Sequence, residues 1–261
     1  MSVLDGFSLA GKTALVTGGA GMYGRPIVAA LAEAGARTFV ASRNIEALES
    51  FAAQQRAAAR DVTALPFDQG DEASVLALRD ALLERAGGID VLVNNAVARP
   101  LRDGYHSPAE DFAESMRINA TGLFIATRCF GDVMAAQERG SIINIGSIMG
   151  MVGPEPTNYR GTSMHGWAPD YFFHKGGMIS FTRFIAAYYG GKGVRCNCLS
   201  LGGLRTNQHP EDFVRQYSER TMLGRLAAEE DVMGAVVFLA GDTSRYVTGA
   251  NIPVDGGYTA K

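Results

Sequence analysis

The stretch Thr17-Gly18-Gly19-Ala20-Gly21-Met22-Tyr23-Gly24 decides the fold, because it joins a short apolar run to a stretch with helical periodicity. Glycines at such a junction permit a tight turn, and they let backbone N–H groups approach a pyrophosphate at the helix N-terminus. A glycine-rich turn alone is a weak signal, since an ordinary strand-to-helix turn can also contain glycine. Its place after the first predicted strand of an alternating chain favours a dinucleotide-binding site.

Short apolar runs alternate with longer amphipathic stretches over the whole chain of 261 residues. This alternation predicts a parallel sheet with helices on both faces, and no linker or repeat divides it. The predicted fold class is therefore α/β: a single domain, 1–261, with a Rossmann-type doubly wound parallel sheet of about seven strands. The predicted strands are Thr13–Thr17, Thr38–Ala41, Val62–Pro66, Ile89–Val93, Ser141–Ile145, Val194–Leu199 and Asn251–Val254. The predicted helices are Ile27–Ala34, Ile45–Arg60, Glu72–Ala86, Ala109–Gln137, Tyr171–Tyr189 and Glu229–Ala240.

The composition argues against several classes of protein. With 24 Lys+Arg against 27 Asp+Glu, the net charge is −3, so we expect no nucleic-acid partner. Hydrophobic residues make up 47%, enough for a large core. No apolar run approaches the roughly 18 residues that span a bilayer, and the first residues lack a signal-peptide pattern, so we expect a cytoplasmic protein without a membrane partner. The three cysteines and four histidines show no metal-ligand spacing, and no metal is expected.

The end of the second predicted strand indicates the cofactor. An acidic residue at this point would bind the adenosine ribose hydroxyls and repel a 2′-phosphate. The sequence instead has Ser42, Arg43 and Asn44, and a small hydroxyl beside an arginine suits a phosphate. We therefore expect NADP(H), with NAD(H) as the alternative if Arg43 is only a solvated residue before a helix.

A second group of residues indicates chemistry at the carboxyl edge of the sheet. Tyr171 and Lys175 are four positions apart on a predicted helix, so they share one face. Ser147 lies just past a predicted strand, on the edge where doubly wound sheets bind their ligands. Asn119 lies in a long helical stretch in which Gly122 permits a kink or a close approach.

With these residues, the sequence resembles the short-chain dehydrogenase/reductase family over essentially its whole length. Each matching piece is modest, but their number and order are specific. The pieces are the Thr17–Gly24 turn, Asp68, Asn94-Asn95-Ala96, Asn119, Ser147, Tyr171 with Lys175, Leu201-Gly202 with Thr206, and Val254-Asp255-Gly256-Gly257.

The resemblance implies catalytic roles for Asn119, Ser147, Tyr171 and Lys175. Tyr171 would be the general acid/base that exchanges a proton with the substrate, and Lys175 would bind the nicotinamide ribose and favour the tyrosinate. Ser147 would hydrogen-bond the reacting oxygen, and Asn119 would hold a water for proton relay. The implied cofactor-binding residues are Gly18, Gly21, Met22, Tyr23, Gly24, Ser42, Arg43, Asn44, Asp68, Asn95, Ala96, Tyr171, Lys175, Gly202, Leu204 and Thr206.

The sequence departs from the family pattern at several places. Met22 stands where the family has the central glycine of the first turn, and its side chain must point away from the pyrophosphate if binding is to survive. Val97 and Leu201 replace a usual glycine and a usual proline, which we interpret as local repacking. Ser147 and Tyr171 are 24 positions apart, about twice the usual family gap.

The extra residues lie between Ser147 and Tyr171, at the mouth of the predicted site. The segment Tyr159–Met164 resembles an extension found in a subgroup associated with sugar and surface-glycan metabolism. Tyr159 is an alternative base, but Ser163 stands where its lysine would be, and we prefer Tyr171. We expect 150–170 and 202–218 to be substrate-site or lid segments, although a structural flap or subunit contact remains the alternative.

Polar, cationic and aromatic side chains at the site mouth suit a hydroxylated substrate, either neutral or anionic, such as a sugar, polyol or sugar acid, because tryptophan stacks on sugars and arginine binds anions. The candidate substrate contacts are Arg160, His165, Trp167 and Asn207, and the same mouth is expected to collect Arg99, Arg102 and His174.

We therefore expect an NADP-dependent oxidoreductase that interconverts a secondary alcohol and a ketone on a sugar, polyol or sugar acid. A β-ketoacyl thioester reductase is the alternative, and a cofactor-binding regulator without turnover is a third hypothesis. From the resemblance we also expect a homotetramer.

Overall fold

Seven parallel strands form one sheet in the computed structural model, which describes residues 2–164 and 167–260. The strand order is β3-β2-β1-β4-β5-β6-β7, so the order reverses between β1 and β4. A reversal of this kind leaves a crevice at the carboxyl ends of the strands, where ligands bind in open α/β sheets. The strands are β1 (Thr13–Thr17), β2 (Arg37–Ser42), β3 (Val62–Pro66), β4 (Val91–Asn94), β5 (Gly140–Ser147), β6 (Val194–Leu201) and β7 (Asn251–Val254).

Helices cover both faces of the sheet. Leu15 and Val16 are neighbours on β1, and successive strand residues point to opposite faces. Val16 belongs to a buried cluster with Leu31 and Val236, whereas Leu15 belongs to a second cluster with Phe130. The fold class predicted from the sequence is thus confirmed. The helices are α1 (Gly24–Glu33), α2 (Ile45–Ala57), α3 (Glu72–Ala86), α4 (Ala109–Met116), α5 (Leu123–Ala136), α6 (Pro169–Tyr189), α7 (Glu211–Ser218) and α8 (Glu230–Ala240).

One predicted helix is not continuous. The stretch predicted as Ala109–Gln137 is divided into α4 and α5 by a π-helical segment, Arg117–Gly122, which contains Asn119. Gly122 packs so closely on the segment that follows β3 that a Cβ atom at Gly122 would lie 2.1 Å from the Gln69 carbonyl oxygen. This contact draws the helix toward the end of β3, and hydrophobic periodicity gives no sign of it.

The packing at Gly122 generates a stability prediction. We expect Gly122→Ala to lower the free energy of unfolding by about 1–3 kcal/mol, because the added methyl group displaces the Gln69 backbone. Gly234→Ala is the matched control, since Gly234 lies in α8 and no atom comes within 4 Å of the place that an added methyl group would occupy. This control should be neutral or stabilising by up to about 1 kcal/mol. Urea unfolding followed by circular dichroism measures both, and equal effects of the two substitutions would contradict the expectation.

Candidate active site

A cavity of about 1140 Å³ opens at the carboxyl edge of the sheet. Its walls are the segments that follow β1 to β6, together with the first turns of α6 and part of α7. The cavity therefore spans the point where the strand order reverses. The predicted site residues that line it are Gly18, Gly21, Met22, Tyr23, Ser42, Arg43, Asn44, Asp68, Asn95, Ala96, Ser147, Tyr171, Lys175, Gly202 and Leu204.

Three predicted cofactor or catalytic residues lie just behind these walls. Gly24 begins α1 directly after the lining residue Tyr23, and Asn119 is buried in the π-helical segment. The Thr206 backbone N–H donates to Nδ1 of His209, which itself lines the cavity.

Three of the four predicted substrate contacts, Arg160, Trp167 and Asn207, are not walls of this cavity. Arg160 lines a separate cavity of about 640 Å³ between the long insert and α7. Trp167 is 41% exposed, and its ring centroid lies 6.5 Å from that of Tyr159, which does line the main cavity. Asn207 is exposed, and His165 lies outside the described residues.

The glycine-rich turn has the backbone that a phosphate-binding loop needs. Gly18 has φ +67°, and a Cβ atom there would lie 2.9 Å from Cα of Ala96. A Cβ atom at Gly24 would lie 2.3 Å from the Gly18 carbonyl oxygen. Met22 is 57% exposed and has no positive φ, so the backbone at this departure from the family pattern does not require glycine.

The turn is tied to the segment that follows β4. Nδ2 of Asn95 donates to the carbonyl oxygens of Thr17 at 3.1 Å and Gly18 at 2.9 Å. The Thr17 hydroxyl oxygen accepts from the backbone N–H groups of Asn95 and Ala96, each at 3.1 Å. These bonds hold the glycine-rich turn and the Asn94-Asn95-Ala96 segment as one wall.

One end of the cavity is formed by the segments that follow β2 and β3. Asn44 caps α2, with Oδ1 accepting from the Ala47 N–H at 3.0 Å, and Asp68 accepts from the Gly70 N–H at 2.8 Å. The Arg43 side chain is exposed beside them and makes no ion pair with a carboxylate in the described part of the chain. A guanidinium in this position is available to an anionic ligand.

The residues predicted for chemistry meet beside β5. Ser147 is the last residue of that strand, and Tyr171 and Lys175 come from the first two turns of α6. Nζ of Lys175 donates to the Ile145 carbonyl oxygen at 2.5 Å and lies 5.7 Å from the centroid of the Tyr171 ring. Burial lowers the pKa of Lys175, and the phenol of Tyr171 opposes that shift. The structure thus brings an amine, a phenol and an alcohol to one place.

Asn119 takes part in a buried hydrogen-bond chain that sequence reasoning missed. Its Oδ1 accepts from the Ala98 N–H, and its Nδ2 donates to the Ala98 carbonyl, both at 2.8 Å. Nδ2 also donates to Oγ of Ser115 at 3.0 Å, and the Ser115 hydroxyl donates to the carboxylate of Asp170. Because both amide protons are used within the protein, a water held by Asn119 would have to bind elsewhere on the residue.

Asp170 was not predicted as a site residue because its position in the sequence is ordinary. An acidic residue in the first turn of a helix usually lies in solvent and interacts with the helix dipole. Here Asp170 is 1% exposed and directly precedes Tyr171. The hydrogen bonds through the Ser115 side chain therefore link the start of α6 to the π-helical segment that contains Asn119.

Two other basic side chains surround Tyr171. His174 is 4% exposed, and burial, with smaller effects of Lys175 and Arg99, lowers its pKa to about 3. Neither ring nitrogen has a hydrogen-bond partner among the described residues, so His174 is a neutral packing residue against the Tyr171 ring. Arg99 places its guanidinium carbon 4.3 Å from the centroid of the same ring, and it lines the cavity.

The long insert and α7 form the outer wall of the cavity. The Tyr159 ring lies 5.5 Å from that of Phe213, measured between centroids, and both residues line the cavity. Nε2 of Gln216 donates to the Arg160 carbonyl at 2.8 Å, which joins the insert to α7 again.

Within residues 2–164 and 167–260, no group of three or more His, Cys, Asp or Glu side chains is arranged to hold a metal ion. No helix in the same part of the chain is both long and apolar enough to cross a membrane.

The doubly wound sheet and the glycine-rich turn at the cavity indicate a dinucleotide-binding protein, and comparison with known proteins gives the family. The family model described as enoyl-(acyl carrier protein) reductase matches residues 20–259. The chain belongs to the short-chain dehydrogenase/reductase family and is an NAD(P)-dependent oxidoreductase of that family.

Similar proteins include enzymes named for sugars and polyols. Galactitol 2-dehydrogenase (L-tagatose-forming) of Cereibacter sphaeroides is 34% identical over 259 residues, covering 97% of each chain. D-threitol dehydrogenase of Mycolicibacterium smegmatis is 33% identical over 265 residues, covering 100% of this chain and 98% of that one. A gluconate 5-dehydrogenase from Burkholderia cenocepacia, solved with NADP and tartrate, is 30% identical, covers 100% of both chains and has a TM-score of 0.89.

The Asp170–Ser115–Asn119 chain generates a prediction about coupling. We expect Ser115→Ala and Asp170→Ala each to lower the free energy of unfolding by about 1–3 kcal/mol, because each leaves a buried polar partner unsatisfied. The double variant should lose less than the sum, since it removes both members of one interaction. Urea unfolding of the four proteins measures the coupling, and effects that add within about 0.5 kcal/mol would contradict it.

Proposed function

We propose that the protein interconverts a secondary alcohol and a ketone on a polar, carbohydrate-like substrate, using NADP and Tyr171 as general acid/base. One observation carries the proposal. Ser147, Tyr171 and Lys175 lie at one end of a cavity whose other walls are a glycine-rich turn and a cationic pocket after β2.

The turn fits a dinucleotide. Gly18 and Gly24 leave no room for a side chain, so the turn packs tightly on itself and on Ala96, and Gly18 and Gly21 line the cavity. Gly18, Gly21 and Tyr23 would hold the pyrophosphate, and Asp68 and Asn44 would border the adenosine. Hydride transfer is the chemistry that a bound nicotinamide supplies.

The chain's own residues would handle the proton and the substrate oxygen. In the oxidative direction, Tyr171 as tyrosinate takes the proton from the substrate hydroxyl, and in reduction its hydroxyl returns a proton to the developing alkoxide. The Ser147 hydroxyl donates a hydrogen bond to the reacting oxygen and fixes its position beside Tyr171. Lys175, held by the Ile145 carbonyl, keeps a cation beside the phenol and is placed to bind the ribose.

Arg43 supports NADP over NAD. Its exposed guanidinium lines the cavity beside Ser42, and an arginine in this place would bind a 2′-phosphate with charge-assisted hydrogen bonds. The cofactor-binding set is completed in this proposal by Met22, Asn95, Ala96, Gly202, Leu204 and Thr206.

Relatives named for galactitol, threitol and gluconate support a carbohydrate-like substrate. Tyr159 and Arg99 give the substrate end of the cavity an aromatic surface and a cation, which suits a sugar that bears hydroxyl or acidic groups. We assign 150–170 and 202–218 to the substrate site, with Arg160, His165, Trp167 and Asn207 as candidate contacts.

A second candidate is reduction of a β-ketoacyl thioester. The description of the matching family model names an acyl carrier protein, and Ile148, Met149 and Phe213 supply apolar wall at the substrate end. The charge of Arg99 in the same cavity argues against binding of an apolar acyl chain. A regulator without turnover is disfavoured, because Ser147, Tyr171 and Lys175, the residues proposed here for the chemistry, line one cavity.

We also propose that the protein forms a homotetramer. The exposed rings of Phe184 and Tyr188 stack on α6 at 5.9 Å between centroids, and Phe124 on α5 is 43% exposed. Exposed aromatic surface of this kind marks protein contacts. A cytoplasmic location is supported by the three cysteines, which are all free thiols.

Substitution of the proposed acid/base tests the reaction. Purified protein with NADP⁺ or NAD⁺ and a panel of polyols, aldoses and sugar acids, followed by reduced-nicotinamide absorbance, should show turnover on a carbohydrate class. Tyr171→Phe should lower kcat by at least about 100-fold, because the proton acceptor is gone. Tyr246→Phe, at a fully exposed tyrosine, is the control. Full turnover by Tyr171→Phe would overturn the mechanism, and activity only with NADPH and acetoacetyl-CoA would favour the thioester.

Charge reversal at Arg43 tests the cofactor. We expect Arg43→Glu to lower kcat/KM for NADP⁺ by about 10- to 100-fold, the loss expected for charge-assisted hydrogen bonds, while NAD⁺ is used as well as before or better. Arg245→Glu makes the same charge change at an exposed position outside the cavity walls. Equal losses with both cofactors would contradict the assignment.

A further inference from the structure

We infer that Arg99 binds the carboxylate of an acidic substrate, so that the preferred substrate is a sugar acid and not a neutral polyol. This inference rests on the proposed function and narrows its substrate class. Its basis is the position of one guanidinium, the charges around it and the surface opposite it.

Arg99 lies directly over the phenol that would exchange the substrate proton. Its guanidinium carbon is 4.3 Å from the centroid of the Tyr171 ring, within the range of a cation–π contact. Arg99 and Tyr171 also line the same cavity. A substrate in this cavity whose hydroxyl reaches Tyr171 is therefore within reach of the Arg99 guanidinium.

The guanidinium has no anionic partner in the described part of the chain. Other arginines are paired with carboxylates, for example Arg139 with Asp90 at 2.8 Å and Arg225 with Asp231 at 2.5 Å. For Arg99, no hydrogen bond or ion pair to a described residue is formed, although it lies in a cavity wall where partners could be placed. Its five donors are available to a ligand.

The charges of the cavity favour an anion at this end. Among the described lining residues the only carboxylate is Asp68, which follows the edge strand β3 and already accepts from the Gly70 N–H. Arg99 and Lys175 are the cations at the substrate end. His209 also lines this end, and burial lowers its pKa, so it adds little positive charge at neutral pH. A neutral polyol would leave the charge of Arg99 without a counter-ion, whereas a carboxylate would supply one.

The wall opposite Arg99 suits the carbon chain of a sugar acid. Burial raises the pKa of the Tyr159 hydroxyl, and the charge of Arg99 opposes this shift, so the guanidinium lies near Tyr159. The rings of Tyr159 and Phe213 are tilted by 38° to each other, and both present aromatic surface to the cavity. The geometry therefore offers a fork for a planar carboxylate and a ring surface for the adjoining carbons.

The test compares acids with alcohols of matched carbon skeletons. Turnover with NADP⁺ is measured on D-gluconate against D-glucitol, D-galactonate against galactitol and D-xylonate against xylitol, with D-glucitol 6-phosphate as a phosphate-bearing arm. The proteins are the wild type, Arg99→Met, Arg99→Lys and the control Arg245→Met, at an exposed position outside the cavity walls. Titration calorimetry of the NADP⁺-loaded proteins with sodium gluconate and sodium tartrate gives a readout that does not need turnover.

The wild type should prefer an acid to its matched alcohol. Arg99→Met should lower that preference by about 10- to 100-fold by raising KM for the acid, as expected for the loss of a charge-assisted bidentate contact. Arg99→Lys should recover part of this preference, and Arg245→Met should match the wild type. Carboxylate binding measured by calorimetry should weaken in Arg99→Met.

Three results would overturn the inference. One is an equal loss on acids and alcohols in Arg99→Met, which would make Arg99 only a positioning residue for Tyr171. Another is a wild-type preference for the alcohols or for the sugar phosphate. The third is carboxylate binding that does not change in Arg99→Met. Absence of turnover on every substrate would count against the proposed function alone, because the calorimetric comparison still decides whether Arg99 binds carboxylates.

Discussion

The architecture of the site depends on hydrogen bonds between the ends of β1 and β4. The Thr17 hydroxyl accepts from two successive backbone N–H groups after β4, and the Asn95 amide donates back to the carbonyls of Thr17 and Gly18. These bonds bring together the two strands between which the order of the sheet reverses. Gly18 can then lie against Ala96 only because it has no side chain. The crevice, the turn and the wall that continues to Arg99 all follow from this arrangement.

A second polar network positions the chemical end. Nδ2 of Asn94 donates to Oδ1 of Asn144 at 2.9 Å, and Nδ2 of Asn144 donates to the Thr182 hydroxyl at 2.9 Å. The network joins β4, β5 and α6 in a buried place where an unsatisfied amide would be costly. It therefore fixes the helix that presents Tyr171 and Lys175 relative to the strand that ends at Ser147.

The end of the cavity that contains Tyr171 carries positive charge, although the protein has a net charge of −3. Lys175 is held by a backbone carbonyl and Arg99 by an aromatic ring, so neither cation is neutralised by a carboxylate of the described residues at that place. His174, which could have been a third cation, is kept neutral by burial. The result is a pocket in which the Arg99 guanidinium carbon lies 4.3 Å and the Lys175 Nζ lies 5.7 Å from the centroid of the Tyr171 ring.

The sequence by itself determined the fold class, the family and the strands on which the site residues lie, because these depend on local periodicity and on motifs with a fixed order. The turn before α1, Ser147 at the end of β5 and the Tyr171–Lys175 spacing were all readable in this way. Only the tertiary structure decided that Asn119 lies in a π-helical segment, that Asp170 is buried and bonded to Ser115, and that Arg160 faces a different cavity from Arg99. Each of these depends on contacts between residues far apart in the chain, such as Gly122 against Gln69, and no local pattern encodes such contacts.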